Sequence, residues 1–151
     1  MSISNLRKKI VFFDGDGTIW YPKITKRSLP PYWIYGDTNN PKINYHSLRH
    51  LILTKTALDV LKKLRRKGVK LILLSTHPHP PKIANVVLRM KLQHLKILEI
   101  FDECHATGGS PEAKGKKIIA LLKKYELPKS KALMVGDSYH YDYLSAKSVG
   151  I

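Results

Sequence analysis

The sequence predicts an α/β fold in which a parallel β-sheet lies between two layers of helices. Short apolar runs alternate along the chain with longer segments whose apolar residues recur at helical spacing, the pattern of parallel strands joined by helical crossovers. The chain has 151 residues and is 43% hydrophobic, which suffices for one core. We therefore expect a single three-layer, Rossmann-like domain over residues 1–151.

The expected elements follow one another in a regular order. A first strand at 10–13 precedes a helix at 56–67, which ends before Gly68. The pair Pro80-Pro81 predicts the start of a second helix. The remaining expected elements are strands at 69–74, 101–106 and 131–135 and a helix at 115–125. The residues that we expect the second helix to bury are Ile83, Val86, Val87 and Met90.

Residues 21–53 interrupt this alternation directly after the first strand. About thirty residues rich in Pro, Tyr and Trp favour a folded loop or small hairpin over a helical cap domain, so we expect a minimal cap or none. Trp20, Tyr32, Trp33 and Tyr35 would either anchor this insert or stack on a substrate ring, and we favour the anchoring role.

The motif Asp14-Gly15-Asp16-Gly17-Thr18 places two carboxylates at the end of the first predicted strand. This spacing is typical of phosphoryl transfer: Asp14 can attack phosphorus to form an aspartyl-phosphate, and Asp16 can protonate the leaving oxygen. The crowded negative charges also predict a divalent cation, and Mg²⁺ is favoured because it prefers oxygen ligands. The alternative interpretation is a simple turn, since Asp and Gly are common turn residues.

A second acidic motif, Gly136-Asp137-Ser138, follows the predicted strand at 131–135. If this strand is the parallel neighbour of the first, Asp137 lies beside Asp14 at the carboxyl edge of the sheet, where open α/β sheets bind ligands. The two motifs together predict a metal site.

Two weaker signals lie between these motifs. Ser75 and Thr76 follow the run at 69–74, and their hydroxyl and backbone N–H groups can hold phosphoryl oxygens. Lys114 precedes the helix at 115–125 and can neutralise a transferring phosphoryl group. Lys116 and Lys117 compete with Lys114 for this role.

The chain is strongly basic, with 27 Lys and Arg against 11 Asp and Glu and a formal net charge of +16. Such a charge attracts small anionic substrates, solvates a surface or binds nucleic acid, and we favour the first two interpretations. The single Cys104 excludes an internal disulfide. With no membrane-spanning or secretory segment in the sequence, we expect a cytoplasmic protein.

Taken in chain order, these four motifs resemble those of the haloacid dehalogenase superfamily of aspartate-nucleophile phosphohydrolases. The motifs are Asp14 to Thr18, Ser75-Thr76, Lys114 and Gly136 to Ser138. The resemblance implies that Asp14 is the nucleophile and that Asp16 is the general acid and base. It also implies that Ser75 binds the phosphate and that Lys114, rather than its neighbours, is the stabilising cation.

The same resemblance implies that Mg²⁺ is held by Asp14, Asp137 and the backbone carbonyl of Asp16. Asp142 would support these groups from the edge of the site or from behind the ligands, and Thr18 would support them from behind. A narrower similarity, carried by the segments 16–20 and 74–78, is to the magnesium-dependent phosphatase branch, whose members lack a large cap.

The sequence therefore predicts a Mg²⁺-dependent phosphomonoesterase acting on a small phosphorylated metabolite or a phosphotyrosine-like substrate. Two alternatives stay open: a phosphatase acting on nucleic-acid ends, and a non-catalytic nucleic-acid-binding module on the same fold. The charge favours both, but the carboxylates of Asp14, Asp16 and Asp137 argue against the second. Dehalogenation is disfavoured because a departing halide needs no leaving-group acid such as Asp16.

Overall fold

The structure is a computed structural model that describes residues 8–23, 48, 50–77 and 79–151. The strands in these ranges are β1 Ile10–Phe13, β2 Trp20–Pro22, β3 Leu51–Leu53, β4 Lys70–Thr76, β5 Glu103–Thr107 and β6 Ala132–Val135. The helices are α1 Ala57–Arg66, α2 Pro81–His94, α3 Pro111–Lys124 and α4 Leu144–Ser148. Shorter turns are the 3₁₀ turns Leu98–Ile100 and Lys129–Lys131 and a π-helical turn Tyr139–Tyr143.

Four strands form one parallel sheet in the order β5-β4-β1-β6. In the central strand β1, Phe13 lies opposite Leu73 of β4 and Val135 of β6. The strands that precede the two acidic motifs are therefore direct parallel neighbours, which is the condition under which the sequence places Asp137 beside Asp14. Their carboxyl ends meet at one edge of the sheet.

Helices cover both faces of this sheet, which confirms the predicted three-layer α/β fold. Successive residues of a strand point to opposite faces. Phe13 packs in one core with Leu61 of α1 and Leu88 of α2. Phe12, its neighbour in β1, packs in a second core with Ile118 of α3.

The buried face of α2 differs from the expected one. The helix begins at Pro81 as predicted, but the expected burial of Val86 is wrong, since this residue is 48% exposed. Neighbouring residues lie about 100° apart around a helix, so the consecutive apolar residues 86–88 do not fix which side faces inward. The residues that α2 buries are Ala84, Val87, Leu88, Lys91 and Leu92.

Helix α3 begins at Pro111, four residues earlier than expected, because Pro suits the first turn of a helix. Lys114 therefore lies inside the helix rather than before it. Its side chain is buried at the end of α3 nearest the carboxyl edge of the sheet, beside the residue that follows β1.

The strands β2 and β3 form a separate two-stranded antiparallel ribbon in which Trp20 pairs with Leu53. The ribbon joins the two ends of the segment at 21–53. Residues 24–47 lie outside the described residues, and so do the aromatic residues Tyr32, Trp33 and Tyr35. None of the helices in the described ranges is long and apolar enough to span a membrane.

Candidate active site

The candidate site lies at the carboxyl edge of the parallel sheet, where β1, β4 and β6 end. Asp14 directly follows β1, and its backbone N–H donates to the carbonyl of Val135 in β6 at 2.9 Å. Ser75 is the penultimate residue of β4, and Asp137 lies just beyond β6. The parallel pairing thus brings together groups that are far apart in the sequence, at the edge where such sheets bind ligands.

Three carboxylates form an acidic cluster at this edge. One oxygen each of Asp14, Asp137 and Asp142 lies within 4.8 Å of the other two. Asp14 and Asp142 are buried, whereas Asp137 is exposed. Hard oxygen donors with one side open to water fit a cation such as Mg²⁺, which keeps several of its waters. Asp142, expected at the edge of the site or behind its ligands, lies within the cluster itself.

Lys114 is a buried cation that contacts two of the three carboxylates in this acidic cluster. Its Nζ donates to Oδ1 of Asp14 at 2.7 Å and also to Oδ1 of Asp142. Burial lowers the pKa of Lys114, but the two carboxylates outweigh burial and raise the pKa above its ordinary value. Lys114 is therefore charged at neutral pH. Of the competing lysines, Lys116 is exposed and Lys117 is half-buried.

The Asp14 carboxyl group is poised between its neutral and ionised forms. Burial raises its pKa from 3.8 to about 7; Lys114 opposes the rise, and the nearby Asp142 and Asp16 add to it. A divalent cation binds only the ionised form and competes with the proton. Cation binding at this cluster is therefore coupled to the ionisation of Asp14.

The loop after β1 packs closely against Asp137. The carbonyl of Gly15 accepts hydrogen bonds from the backbone N–H groups of residues 18–20 at 2.9–3.2 Å, which closes a tight turn. Gly17 has a φ of +84°, and a Cβ at this position would lie 2.2 Å from Oδ2 of Asp137. Thr18 Oγ1 donates to Oδ1 of Asp137 at 3.2 Å. Thr18 thus supports Asp137 directly.

Asp142 is held by the π-helical turn at Tyr139–Tyr143, a rare element that is frequent at functional sites. Its Oδ2 accepts the backbone N–H of Ser138 at 3.0 Å, while Oδ1 accepts from Lys114. The absence of a side chain at Gly136 leaves room for it, because a Cβ there would lie 2.2 Å from the Asp142 carboxyl group. The turn therefore fixes a buried carboxylate that accepts two hydrogen bonds.

Asp16 follows Asp14 by two residues, but its carboxylate is outside the acidic cluster and pairs with a different lysine. Lys91 Nζ donates to Oδ1 and Oδ2 of Asp16 at 3.0 and 3.1 Å. Lys91 is a site residue that sequence reasoning missed. Its position four residues after Val87, about one helical turn along the buried face of α2, could have revealed it. It was missed because the sequence predicted the wrong buried face for this helix.

The end of β4 lies beside Asp16. Ser75 is buried, and its Oγ donates to Oδ2 of Asp16 at 3.5 Å. The Oγ1 of Thr76 is buried and has no hydrogen-bond partner among the described residues. His77 is fully buried, and its burial together with the nearby charge of Lys91 lowers its pKa to about 4. His77 is therefore neutral at pH 7.

Comparison with known proteins identifies the family. A family model of haloacid dehalogenase-like hydrolases matches residues 44–150, most of the chain, and the chain belongs to this family. The match confirms the resemblance that the sequence motifs indicate. No curated protein shows significant sequence similarity to the chain.

Solved structures share the fold. A phosphatase of the same superfamily from Thermococcus onnurineus superposes with a TM-score of 0.66 at 21% identity, covering 95% of this chain and 83% of that one. A predicted phosphoglycolate phosphatase from Haemophilus somnus gives 0.63 at 18% identity, with 95% and 83% covered. A hydrolase from Streptococcus pneumoniae gives 0.64 at 17% identity, with 95% and 90% covered.

Gly17→Ala should weaken divalent-cation binding about tenfold or more, because the added Cβ displaces Asp137 and disrupts its support. Calorimetric titration with Mg²⁺ or Mn²⁺ measures the change. Gly109→Ala is the matched control, since a Cβ at Gly109 meets nothing within 4 Å. Unchanged affinity in Gly17→Ala would show that Asp137 does not ligate the cation.

Cation affinity should also fall with decreasing pH. Because the pKa of Asp14 is raised to about 7, protons occupy this carboxylate below neutrality, and affinity should drop about tenfold between about pH 8 and pH 6. The same titrations measure this dependence. Asp14→Asn should bind more weakly and lose the dependence, whereas a pH-independent affinity in the unmodified protein would contradict the role of Asp14 as a ligand.

Proposed function

We propose that this hydrolase is a Mg²⁺-dependent phosphomonoesterase that works through an aspartyl-phosphate on Asp14. The observation that supports this most strongly is the buried pair of Asp14 and Lys114 inside the acidic cluster, with Nζ 2.7 Å from the carboxylate. The pair places a nucleophile beside a fixed positive charge. Two of the structural neighbours are named as phosphatases, which is consistent with this proposal.

In the first half-reaction, an ionised oxygen of Asp14 attacks phosphorus, and the bond between phosphorus and the leaving oxygen breaks. Asp16 gives its proton to that oxygen, so that a neutral alcohol departs. In the second half-reaction, Asp16 takes a proton from water, and the water oxygen attacks phosphorus. The bond between phosphorus and the Asp14 oxygen breaks, so inorganic phosphate leaves and Asp14 is again a free carboxylate.

The surrounding polar groups stabilise the charge on the phosphoryl oxygens. Lys114 lies beside Asp14 and neutralises the charge that develops as phosphorus is transferred. Ser75, at the end of β4, binds a phosphoryl oxygen through its hydroxyl, and Thr76 contributes its backbone N–H. Both residues lie at the end of a buried strand, which fixes their positions before substrate arrives. The Ser75 hydroxyl, which donates to Oδ2 of Asp16, would turn its proton to the phosphoryl oxygen.

The Mg²⁺ ligands would be the carboxylates of Asp14, Asp137 and Asp142, with the backbone carbonyl of Asp16. When bound, the ion supplies positive charge that draws the phosphate towards the carboxylates and offsets their repulsion. Asp142 is held by Lys114 and Ser138, so its contribution is the most rigid of the three carboxylates.

The substrate class is a small phosphomonoester, such as a phosphorylated metabolite or a phosphotyrosine-like compound. A formal net charge of +16 supports an anionic substrate, because a positive field raises the rate of encounter with anions. The same charge supports the second candidate, a phosphatase acting on nucleic-acid ends. Exposed basic residues on α1 and α3 offer two separate surfaces for a phosphate backbone.

Asp14→Asn should reduce turnover at least about a thousandfold, because an amide cannot attack phosphorus. The fold should survive, since the amide has nearly the shape of the carboxylate. Phosphate release is measured over a panel of phosphomonoesters, with Mg²⁺ and with a chelator. Asp59→Asn makes the same change at an exposed position of α1 and should retain full activity.

Two outcomes would overturn the proposal. One is substantial turnover by a folded Asp14→Asn protein, which would exclude Asp14 as the nucleophile. The other is full activity of the unmodified protein in the chelator, which would exclude the cation.

Charge reversal separates the two substrate classes. The first variant reverses three exposed residues of α1: Lys62→Glu, Lys63→Glu and Arg66→Glu. The matched control makes the same change in charge on α3, on the opposite face of the sheet: Lys116→Glu, Lys117→Glu and Lys123→Glu. For a small substrate, both variants should keep turnover of an aryl phosphate within about threefold, since surface charge is screened over about 10 Å.

The alternative makes a different prediction for an end-phosphorylated oligonucleotide. If a nucleic-acid backbone binds one of these helices, affinity falls log-linearly with salt, because each phosphate contact releases counterions. Loss of oligonucleotide binding and turnover in one variant only, with the aryl phosphate unaffected, would favour the nucleic-acid substrate. Oligonucleotide binding and turnover that change in neither variant would favour the small substrate.

A further inference from the structure

Lys91 of α2 is a buried lysine that reaches across to the loop after β1. Its side chain is 1% exposed, and its Nζ lies 3.0 Å from Oδ1 and 3.1 Å from Oδ2 of Asp16. A buried ammonium group is costly unless it is paired. The presence of a lysine on the apolar face of α2 is therefore explained by Asp16 rather than by packing.

The Asp16 carboxylate is held by donors from three different elements. Besides Lys91 in α2, the indole Nε1 of Trp20 in β2 donates to Oδ1 at 2.8 Å. The hydroxyl of Ser75 in β4 donates to Oδ2 at 3.5 Å. Gly15 permits this arrangement, because a Cβ there would lie 2.4 Å from the Trp20 ring. Because these donors lie in different directions, they restrict the Asp16 carboxylate to one orientation, in which Oδ2 faces the end of β4.

The two carboxylates of the motif are thus served by different lysines from opposite sides of the sheet. Lys114 comes from α3 and contacts Asp14, whereas Lys91 comes from α2 and contacts Asp16. In the proposed reaction, Lys114 acts on the side of the nucleophile. Lys91 acts on the side of the leaving group.

We propose that Lys91 is a positioning residue for proton transfer, holding the Asp16 carboxylate in the orientation from which it meets the leaving oxygen. This inference rests on the proposed role of Asp16 as general acid and base. The proton moves between Asp16 and the leaving oxygen, and no bond to Lys91 forms or breaks. Proton transfer needs hydrogen-bond reach, and a misplacement of about 1 Å costs about a hundredfold in rate.

The test compares substrates whose leaving groups differ in their need for a proton. An alkyl phosphate such as glycerol phosphate releases a basic oxygen, whereas para-nitrophenyl phosphate releases a stable anion. Lys91→Met, which keeps the apolar stem and removes the charge, should lower kcat about a hundredfold on the alkyl ester and within about threefold on the aryl ester, with KM nearly unchanged. A merely structural lysine would lower both rates equally.

Two further variants serve as controls. Lys91→Arg should keep the ratio of alkyl to aryl activity near that of the unmodified protein, because a guanidinium can also hold both carboxylate oxygens. Arg89→Met removes an exposed charge from the same helix and should change neither rate. Equal losses on both esters in Lys91→Met, with a normal thermal transition, would overturn the inference.

A double variant keeps the inference testable if Lys91→Met fails to fold because Asp16 is left unpaired. Asp16→Asn/Lys91→Met leaves neither charge alone. If Lys91 acts through Asp16, this variant should have the same alkyl activity as Asp16→Asn within about threefold. A further loss beyond Asp16→Asn would overturn the inference.

The outcome for Asp16→Asn separates this inference from the proposed function. Equal losses on alkyl and aryl esters in Asp16→Asn would contradict the acid role of Asp16 itself. A selective loss on alkyl esters in Asp16→Asn, but not in Lys91→Met, would contradict only the role of Lys91.

Discussion

The need to balance charges taken out of water is the constraint on which this site depends. Three largely buried carboxylates, those of Asp14, Asp16 and Asp142, and the exposed Asp137 carboxylate meet two buried ammonium groups at the carboxyl edge of one sheet. An isolated buried charge is very costly, so each buried group needs a partner within contact distance. With all four carboxylates ionised, two negative charges remain. A divalent cation bound at the acidic cluster would bring the site to neutrality.

The fold supplies the partners from both sides. One lysine comes from α3, which packs in the second core, and the other comes from α2 on the opposite face of the sheet. Both helices are fixed by apolar contacts with the central strands, so the position of each ammonium group is set by packing. Lys114 only partly compensates the charge of Asp14. Burial and the neighbouring carboxylates therefore raise the pKa of Asp14 and favour its neutral form.

The sequence predicted the part of this site that depends on strand ends. Asp14 and Asp137 each follow a short apolar run, and parallel neighbours must bring such residues to the same edge. Lys114 could be selected from its neighbours only by resemblance, because nothing local distinguishes three closely spaced lysines; the packing of α3 decides which one is buried. The match to the haloacid dehalogenase-like hydrolases agrees with the fold that these patterns predict.

The burial of Lys91 could not be predicted from the sequence. Several adjacent apolar residues make the inward face of α2 ambiguous, and nothing local in the sequence marks a lysine of this helix as buried. Only the tertiary contact with Asp16, a residue 75 positions earlier, reveals why this lysine is buried. The expected anchoring role of Tyr32 and its neighbours lies outside the described residues, and it stays a prediction.

Trapping of the phosphoenzyme tests the central claim most directly. The protein is mixed with Mg²⁺ and an aryl phosphate, quenched in acid during turnover, reduced with borohydride and digested for peptide mass spectrometry. Borohydride converts an aspartyl-phosphate to homoserine, so the account predicts homoserine at Asp14 and at no other aspartate. Active turnover with unmodified Asp14, or with the modification at Asp16 or Asp137 instead, would contradict it.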